Sequence, residues 1–178
     1  MAGKSGFLPI ATALVGVGVF AIATQVRAGG DLVKFPEGFD KGVMFTTVDR
    51  PDNKQFREVY TSQAALDAAK KGEPLPDGTV ITLLQYRAKL GADGNPEKDA
   101  NGRFIKTNEL LAYTVMEKRK GWGTEYPDNI RNGEWEYQAF QADKQVNTKA
   151  KLTACFECHK PLPPGQDFVF LYNKMAGK

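Results

Sequence analysis

The sequence has very few side chains that ligate metals or form disulfides. Among 178 residues there is one histidine, His159, and there are two cysteines, Cys155 and Cys158. A disulfide between cysteines this close would close a tiny loop and contribute little stability. A structural zinc site would need a further ligand, such as a carboxylate. The pair also lies near the C-terminus, whereas a thioredoxin-like pair follows a strand early in a βαβ unit.

Strong charge of either sign is also missing. The formal net charge is +3, and basic and acidic residues are interleaved along the chain. We therefore expect no nucleic-acid-binding surface. No internal repeat or long low-complexity tract is visible. With 42% hydrophobic residues and 11 phenylalanines, the chain can bury the core of one domain.

The N-terminus has the pattern of an export signal. Residues 7–24 form an apolar run behind Lys4, and the small residues Val26 and Ala28 suit the −3 and −1 positions of a cleavage site. The run is only just long enough to span a bilayer, so an uncleaved anchor is the alternative, which the proline and glycines within the run disfavour. Either interpretation exports the rest of the chain.

The predicted organisation is therefore a leader over residues 1–28 and one domain over residues 29–178. We expect that domain in the periplasm, anchored to the membrane through the apolar run if the leader is retained. Its pattern predicts a mainly β (α+β) fold, an antiparallel sheet with one or two helices. The predicted helix covers residues 62–71, between an N-cap at Thr61 or Ser62 and Gly72, and the predicted strands cover residues 43–48, 56–60, 79–88, 103–106 continuing over 110–118, 135–141 and 167–172.

The two cysteines and the histidine form one motif. The run Cys155-Phe156-Glu157-Cys158-His159 has the spacing C-x-x-C-H, which is typical of c-type haem attachment. It predicts one covalent haem c, held through Cys155 and Cys158, with His159 as the proximal ligand of its iron. Haem c is assembled in exported compartments, so the leader and the motif support each other.

A single histidine limits the other axial position of that iron. Ligation by two histidines of one chain is excluded, which leaves methionine, lysine, tyrosine, water or an open site. Met44, Met116 and Met175 are the methionines of the domain, and the first and second fall in predicted strands, where methionine is more often core filler. We therefore expect an open or weakly ligated distal site. An open site predicts binding of small ligands, whereas a methionine ligand would indicate a plain electron carrier.

The chain resembles the cytochrome P-460 family, which includes the β-type cytochromes c′. The resemblance covers most of residues 35–172 and is carried by six segments in this order, namely Phe56 to Tyr60, a helix with Ala64 to Lys71, Pro76 to Val80, a strand around Trp135, Cys155 to Lys160, and a further predicted strand at Asp167 to Phe170. It implies a mostly β domain, often dimeric, with a five-coordinate haem. A homodimer is therefore one expectation.

The resemblance also bears on the chemistry of the distal side. Members that oxidise hydroxylamine cross-link a lysine to the haem, and its place here falls at Leu83. A carboxylate that helps move protons has its place near Ala112, and strand alternation puts the nearest acid, Glu109, on the face opposite Leu110 and Ala112. Because neither leucine nor alanine can do that chemistry, hydroxylamine oxidation is the weaker alternative.

Strand alternation groups Leu83 with Ile81 and Gln85, and the resemblance chooses that face as the haem face. An apolar Leu83 beside the iron would favour uncharged NO or CO over water or anions; ordinary core packing of Leu83 is the alternative. The expected partners are thus a small gaseous or nitrogenous ligand and a periplasmic redox partner. Arg57 could reach a haem propionate or the distal pocket, although a solvated or strand-pairing arginine is the commoner case.

Overall fold

A five-stranded antiparallel sheet with strands in chain order forms the body of the protein. The computed structural model describes residues 32–163 and 165–178, together with Met1 and Gly3. The expected signal peptide, residues 1–28, therefore lies almost wholly outside the described residues. The strands are β1 (Val43–Arg50), β2 (Gln55–Thr61), β3 (Val80–Ala88), β4 (Lys106–Lys118) and β5 (Trp135–Gln141), and the helices are α1 (Gln63–Lys71), α2 (Thr153–His159), α3 (Tyr172–Met175) and a 3-10 turn at Phe39–Lys41.

The mainly β prediction is confirmed, and the helix after β2 has the expected ends. The hydroxyl of Ser62 accepts a hydrogen bond from the Ala65 amide and caps α1. Gly72 ends the helix in the left-handed conformation, with φ of 76°, which glycine adopts without steric cost. Alanines and leucine on one side of α1 are buried, so the helix packs against the sheet.

The strand expected over residues 167–172 is wrong. Asp167 and Phe168 both have positive φ, at 47° and 57°, which is incompatible with an extended strand. The chain turns there and then enters α3 at Tyr172. Residues 168–172 form an unbroken run of aromatic and aliphatic side chains, as in many strands, but here Val169 and Tyr172 are buried while Phe170 is half exposed.

The two faces of the sheet are covered by different parts of the chain. We call face A the side that carries Val59, Ile81, Met116 and Tyr137, which pack with residues of all three α-helices. Face B is the side that carries Leu84, Tyr113, Val115 and Phe140, which pack with Val33, Phe35 and Phe39 of the N-terminal segment. Phe156 of the C-x-x-C-H motif and the later residues Val169, Tyr172 and Met175 therefore lie over face A.

Strand β4 contains a bulge that breaks its alternation. Ala112 pairs with Gln85, but Leu110 pairs with Tyr86, so one residue of β4 is extra. Leu110 consequently packs on face B with Tyr86, whereas Ala112 lies opposite the face-A position Gln85. The expectation that Leu110 and Ala112 share a face, with Glu109 opposite both, is therefore wrong. Glu109 lies in the irregular stretch before Leu110 and pairs at the surface with Arg87, at 2.6 Å.

Among the described residues, no helix has both the length and the apolarity needed to cross a membrane.

Candidate functional site

Helix α2 presents the three residues of the motif together. Cys155 is half-buried and Cys158 is exposed, and both thiols are free. Phe156 between them is 1% exposed and anchors the helix, because its ring packs on Tyr126 and Tyr137 with centroids 4.5 and 4.7 Å apart. One buried aromatic residue thus fixes a short helix whose two thiols remain accessible to different degrees.

The imidazole of His159 is held in one tautomer. Its Nδ1 lies 2.6 Å from the backbone carbonyl oxygen of Phe168. A carbonyl oxygen only accepts hydrogen bonds, so Nδ1 carries the proton and donates it. Burial lowers the pKa of His159, which favours the neutral ring. The lone pair of Nε2 is therefore available, the arrangement in which histidine binds a metal with its other nitrogen donating to the protein.

Aromatic rings fix the orientation of the same imidazole. Tyr137 on face A packs against it with centroids 5.0 Å apart, and Phe170 makes an edge contact at 4.9 Å. Phe170 is 51% exposed, so an apolar surface lies open beside the histidine. A planar apolar group bound there would cover that surface, which fits a haem held by the neighbouring cysteines.

Asn132 supports this part of the fold and gave no signal in the sequence. It is fully buried, and its amide nitrogen donates to the hydroxyl of Tyr137 at 2.8 Å and to the carbonyl of Phe156 at 3.2 Å. One side chain thus links the loop before β5 to the motif helix and to the ring beside His159. An asparagine in a glycine-containing loop is ordinary in sequence terms, so only the fold reveals this role.

Leu83 lies on the face of the sheet that α2 covers. It is half-buried and packs against the same cluster as Phe156 and Cys155. Ala112 lies on the same face, because it pairs with Gln85, two residues after Leu83. The two positions at which the resemblance implies a lysine and a carboxylate are therefore both on face A, and both carry apolar side chains.

Arg57 is more enclosed than the sequence suggests. It is half-buried and occupies face A beside Gln85, and its guanidinium donates to the side-chain oxygen of Gln55 at 2.8 and 3.0 Å. Burial and then the charge of Arg50 lower the pKa of Arg57 to about 10. The hydrogen bond to Asp52 raises the pKa of Arg50. Arg50 pairs with Gln55, so both arginines lie on face A.

The three methionines differ in position. Met44 is 46% exposed and pairs with Tyr60, a residue of the face-B cluster. Met116 and Met175 are buried in the face-A cluster, at 8% and 2% exposure. Their burial among apolar side chains agrees with a role as core filler.

The comparisons with known proteins identify a family for this chain. Within the described residues, no three or more His, Cys, Asp and Glu side chains are grouped so as to hold a metal ion. The family model for Cytochrome P460 matches residues 36–171, most of the chain. A search of curated proteins finds no match. The chain therefore belongs to the cytochrome P460 family, and this membership implies a haem cofactor and suggests a c-type cytochrome.

Proposed function

We propose that this protein is an exported mono-haem c-type cytochrome whose iron has an open or weakly ligated distal position and binds small uncharged ligands such as NO. One observation carries the proposal: His159 donates through Nδ1 to Phe168 and keeps Nε2 free, on the helix that carries two free cysteines. In this assignment Cys155 and Cys158 would form the thioethers and His159 would bind the iron.

The haem iron would supply a site for a small ligand or for one electron. The chain would supply the attachment, the proximal nitrogen and the surroundings of the other axial position. The hydrogen bond from His159 to the Phe168 carbonyl would make Nε2 more basic, and hence a stronger ligand of the iron. It also fixes the orientation of the imidazole ring. The rings of Tyr137 and Phe170 restrict its rotation.

The apolar side chains at two positions of face A support an uncharged ligand. Leu83 and Ala112 offer no hydrogen bond and no proton, so a charged ligand beside them would lose its hydration without replacement. Arg57 lies on the neighbouring strand β2, opposite Gln85, which is two residues after Leu83 on the same face. Its guanidinium donates a hydrogen bond to Gln55. It can also donate to a propionate or to a polar atom of a bound ligand, since a guanidinium has five donors.

Hydroxylamine oxidation is the alternative, and the residues favour it less. No lysine lies between Lys71 and Lys89, so β3 cannot provide the cross-link that the oxidising members use. Electron carriage with a methionine ligand is a further alternative. Two of the methionines are already packed in the core and the third is on the face-B side. Export to the periplasm and a periplasmic redox partner belong to the proposal and rest on the leader sequence.

The test uses protein expressed in a host that matures c-type haem. We expect one haem that stays with the polypeptide in acid butanone, and loss of this covalent haem in a Cys155→Ala, Cys158→Ala double variant. Glu157→Gln is the matched control, because it changes an exposed residue inside the motif and leaves the C-x-x-C-H spacing intact. Haem that is extracted freely from the wild-type protein would refute covalent attachment.

The absorption spectrum of the reduced protein separates the functions. A five-coordinate haem c without a cross-link should give an ordinary Soret band that shifts when CO or NO is added. A Soret band far to the red would indicate a cross-linked macrocycle and hydroxylamine chemistry. A reduced spectrum that CO does not change would favour a filled distal site and electron carriage.

A further inference from the structure

The carbonyl that accepts the proton of His159 belongs to a strained turn. Asp167 and Phe168 are consecutive non-glycine residues with φ of 47° and 57°. Such residues rarely adopt left-handed conformations, because the Cβ atom approaches the backbone carbonyl. Two in succession persist only where the surrounding structure holds them. The strain determines where the Phe168 carbonyl points, and hence whether His159 Nδ1 has its acceptor.

The side chain of Asp167 holds this turn from a distance. One carboxylate oxygen accepts from the Leu75 amide at 2.8 Å, and the two oxygens lie 2.9 and 3.1 Å from the ammonium of Lys118. The same ammonium donates to the Leu75 carbonyl at 3.0 Å. The side chains of Lys118 and Asp167 are only 12% and 13% exposed, so water competes weakly for these contacts. The turn is thereby tied to strand β4 and to the segment after α1.

We propose that the largely buried Lys118–Asp167 ion pair positions the proximal histidine, by holding the Phe168 carbonyl as the acceptor for His159 Nδ1. Lys118 and Asp167 are positioning residues and do not touch the imidazole. The contact chain runs from Lys118 to Asp167, through one peptide bond to the Phe168 carbonyl, and then over 2.6 Å to Nδ1. The ion pair would thereby set the donor strength of the ligand.

Removing the carboxylate of Asp167 shows why the ion pair should matter to His159. Without its three contacts the turn can relax to right-handed or extended backbone, which other residues prefer, and the carbonyl rotates away from Nδ1. A histidine that loses such an outer partner becomes a weaker ligand. The iron–histidine bond should then weaken, and the ferric state should lose part of its stabilisation.

The experiment compares holo-protein variants by resonance Raman spectroscopy of the reduced state and by redox titration. Asp167→Asn keeps the shape of the side chain and removes its charge. In the double variant Asp167→Asn, Lys118→Met no charge is left buried without a partner, so it remains testable if the single variant folds poorly. We expect the iron–histidine stretching band to shift to lower frequency, and the midpoint potential to rise, in both variants. Lys118→Arg keeps the ion pair and should retain the wild-type band.

Asp49→Asn is the matched control. Asp49 also accepts from a cationic side chain, Arg103 at 2.8 Å, and from a backbone amide, that of Phe104 at 3.1 Å, but it lies on β1 and makes no contact with the turn. Its substitution should lower stability without shifting the Raman band. A band that shifts equally in the control would mean a general effect of lost stability and would overturn the inference.

The inference rests on the proposed function, because it needs His159 bound to the iron, and the two can fail separately. A wild-type protein with no iron–histidine band would overturn both. A wild-type band that stays unchanged in Asp167→Asn and in the double variant would overturn the inference alone.

Discussion

Replacing Leu83 by alanine tests the distal side of the proposed site directly. The chain offers an unusually close control, because Leu84 is the next residue on the same strand and faces the opposite side of the sheet. Leu83 packs with the cluster around the motif helix, whereas Leu84 packs on face B with Tyr113 and Phe140. The two variants therefore remove the same atoms from adjacent positions, one on the proposed haem side and one away from it.

The expected losses of stability follow from burial. A buried leucine replaced by alanine costs about 2–5 kcal/mol, depending on the cavity that remains. Leu84 is 5% exposed, so its replacement should fall within that range. Leu83 is half-buried, and its replacement should cost about half as much, roughly 1–2.5 kcal/mol. Urea denaturation of the two variants measures both values.

The rates of ligand binding should change in the opposite order. If a ligand must displace the Leu83 side chain from its rotamer, the displacement costs about 0.5–1.5 kcal/mol. Removing that barrier should speed CO or NO binding to the reduced protein about 2- to 12-fold. Leu84→Ala should leave the rate unchanged despite its larger loss of stability. Stopped-flow mixing or flash photolysis of the CO complex provides the rates.

Equal rates in the wild type and both variants would refute the role of Leu83 as a distal wall and would leave it as ordinary core. A rate that rises in both variants would indicate general loosening of the sheet, and the same conclusion would apply. Only a rise confined to Leu83→Ala supports the reasoning.

Three further predictions concern other parts of the structure. Asn132→Ala should destabilise the protein by about 1–3 kcal/mol, measured by urea denaturation, because it removes the buried partner of the Tyr137 hydroxyl; a loss below that range would argue against the network. Ser62→Ala should cost about 1 kcal/mol of unfolding free energy through loss of the N-cap, measured in the same way. The hydrogen bond from Arg103 lowers the pKa of Asp49 below its ordinary value of 3.8, so its stabilising effect is present above that pH and is lost as the pH falls through the lower, folded-state pKa. The stability of Asp49→Asn, measured by denaturation at several pH values, should therefore depend less on pH in the acid range than that of the wild type.

Local patterns in the sequence are sufficient to predict most of the fold. Runs of β-branched and aromatic residues between turn signals locate all five strands, because such side chains pack well on a pleated sheet. The cap at Ser62 and the stop at Gly72 locate α1, since both act within a few residues. The haem motif is likewise local, so Cys155, Cys158 and His159 are recognisable as a set from their spacing in the chain.

Predictions from local sequence patterns fail where contacts with distant residues determine the backbone conformation. The stretch from Asp167 to Tyr172 is rich in aromatic and aliphatic residues, like a strand, but the carboxylate of Asp167 is bound by Lys118, 49 residues earlier in the chain, and the backbone turns there. The bulge in β4 moves Leu110 to face B, because β4 has one residue more than β3 between two consecutive pairs. The amino-acid composition of β4 does not reveal this extra residue.

A mainly β domain with a C-x-x-C-H motif and a single histidine follows from the amino-acid sequence, because strand periodicity and ligand spacing are properties of neighbouring residues. The tautomer of that histidine, the enclosure of Arg57 beside Gln55, and the link that Asn132 makes between a loop and the motif helix follow only from tertiary packing. Each of these features depends on a group that folding brings close. A side chain becomes buried, and a ring nitrogen gains its hydrogen-bond acceptor, only after the sheet and its covering segments have packed.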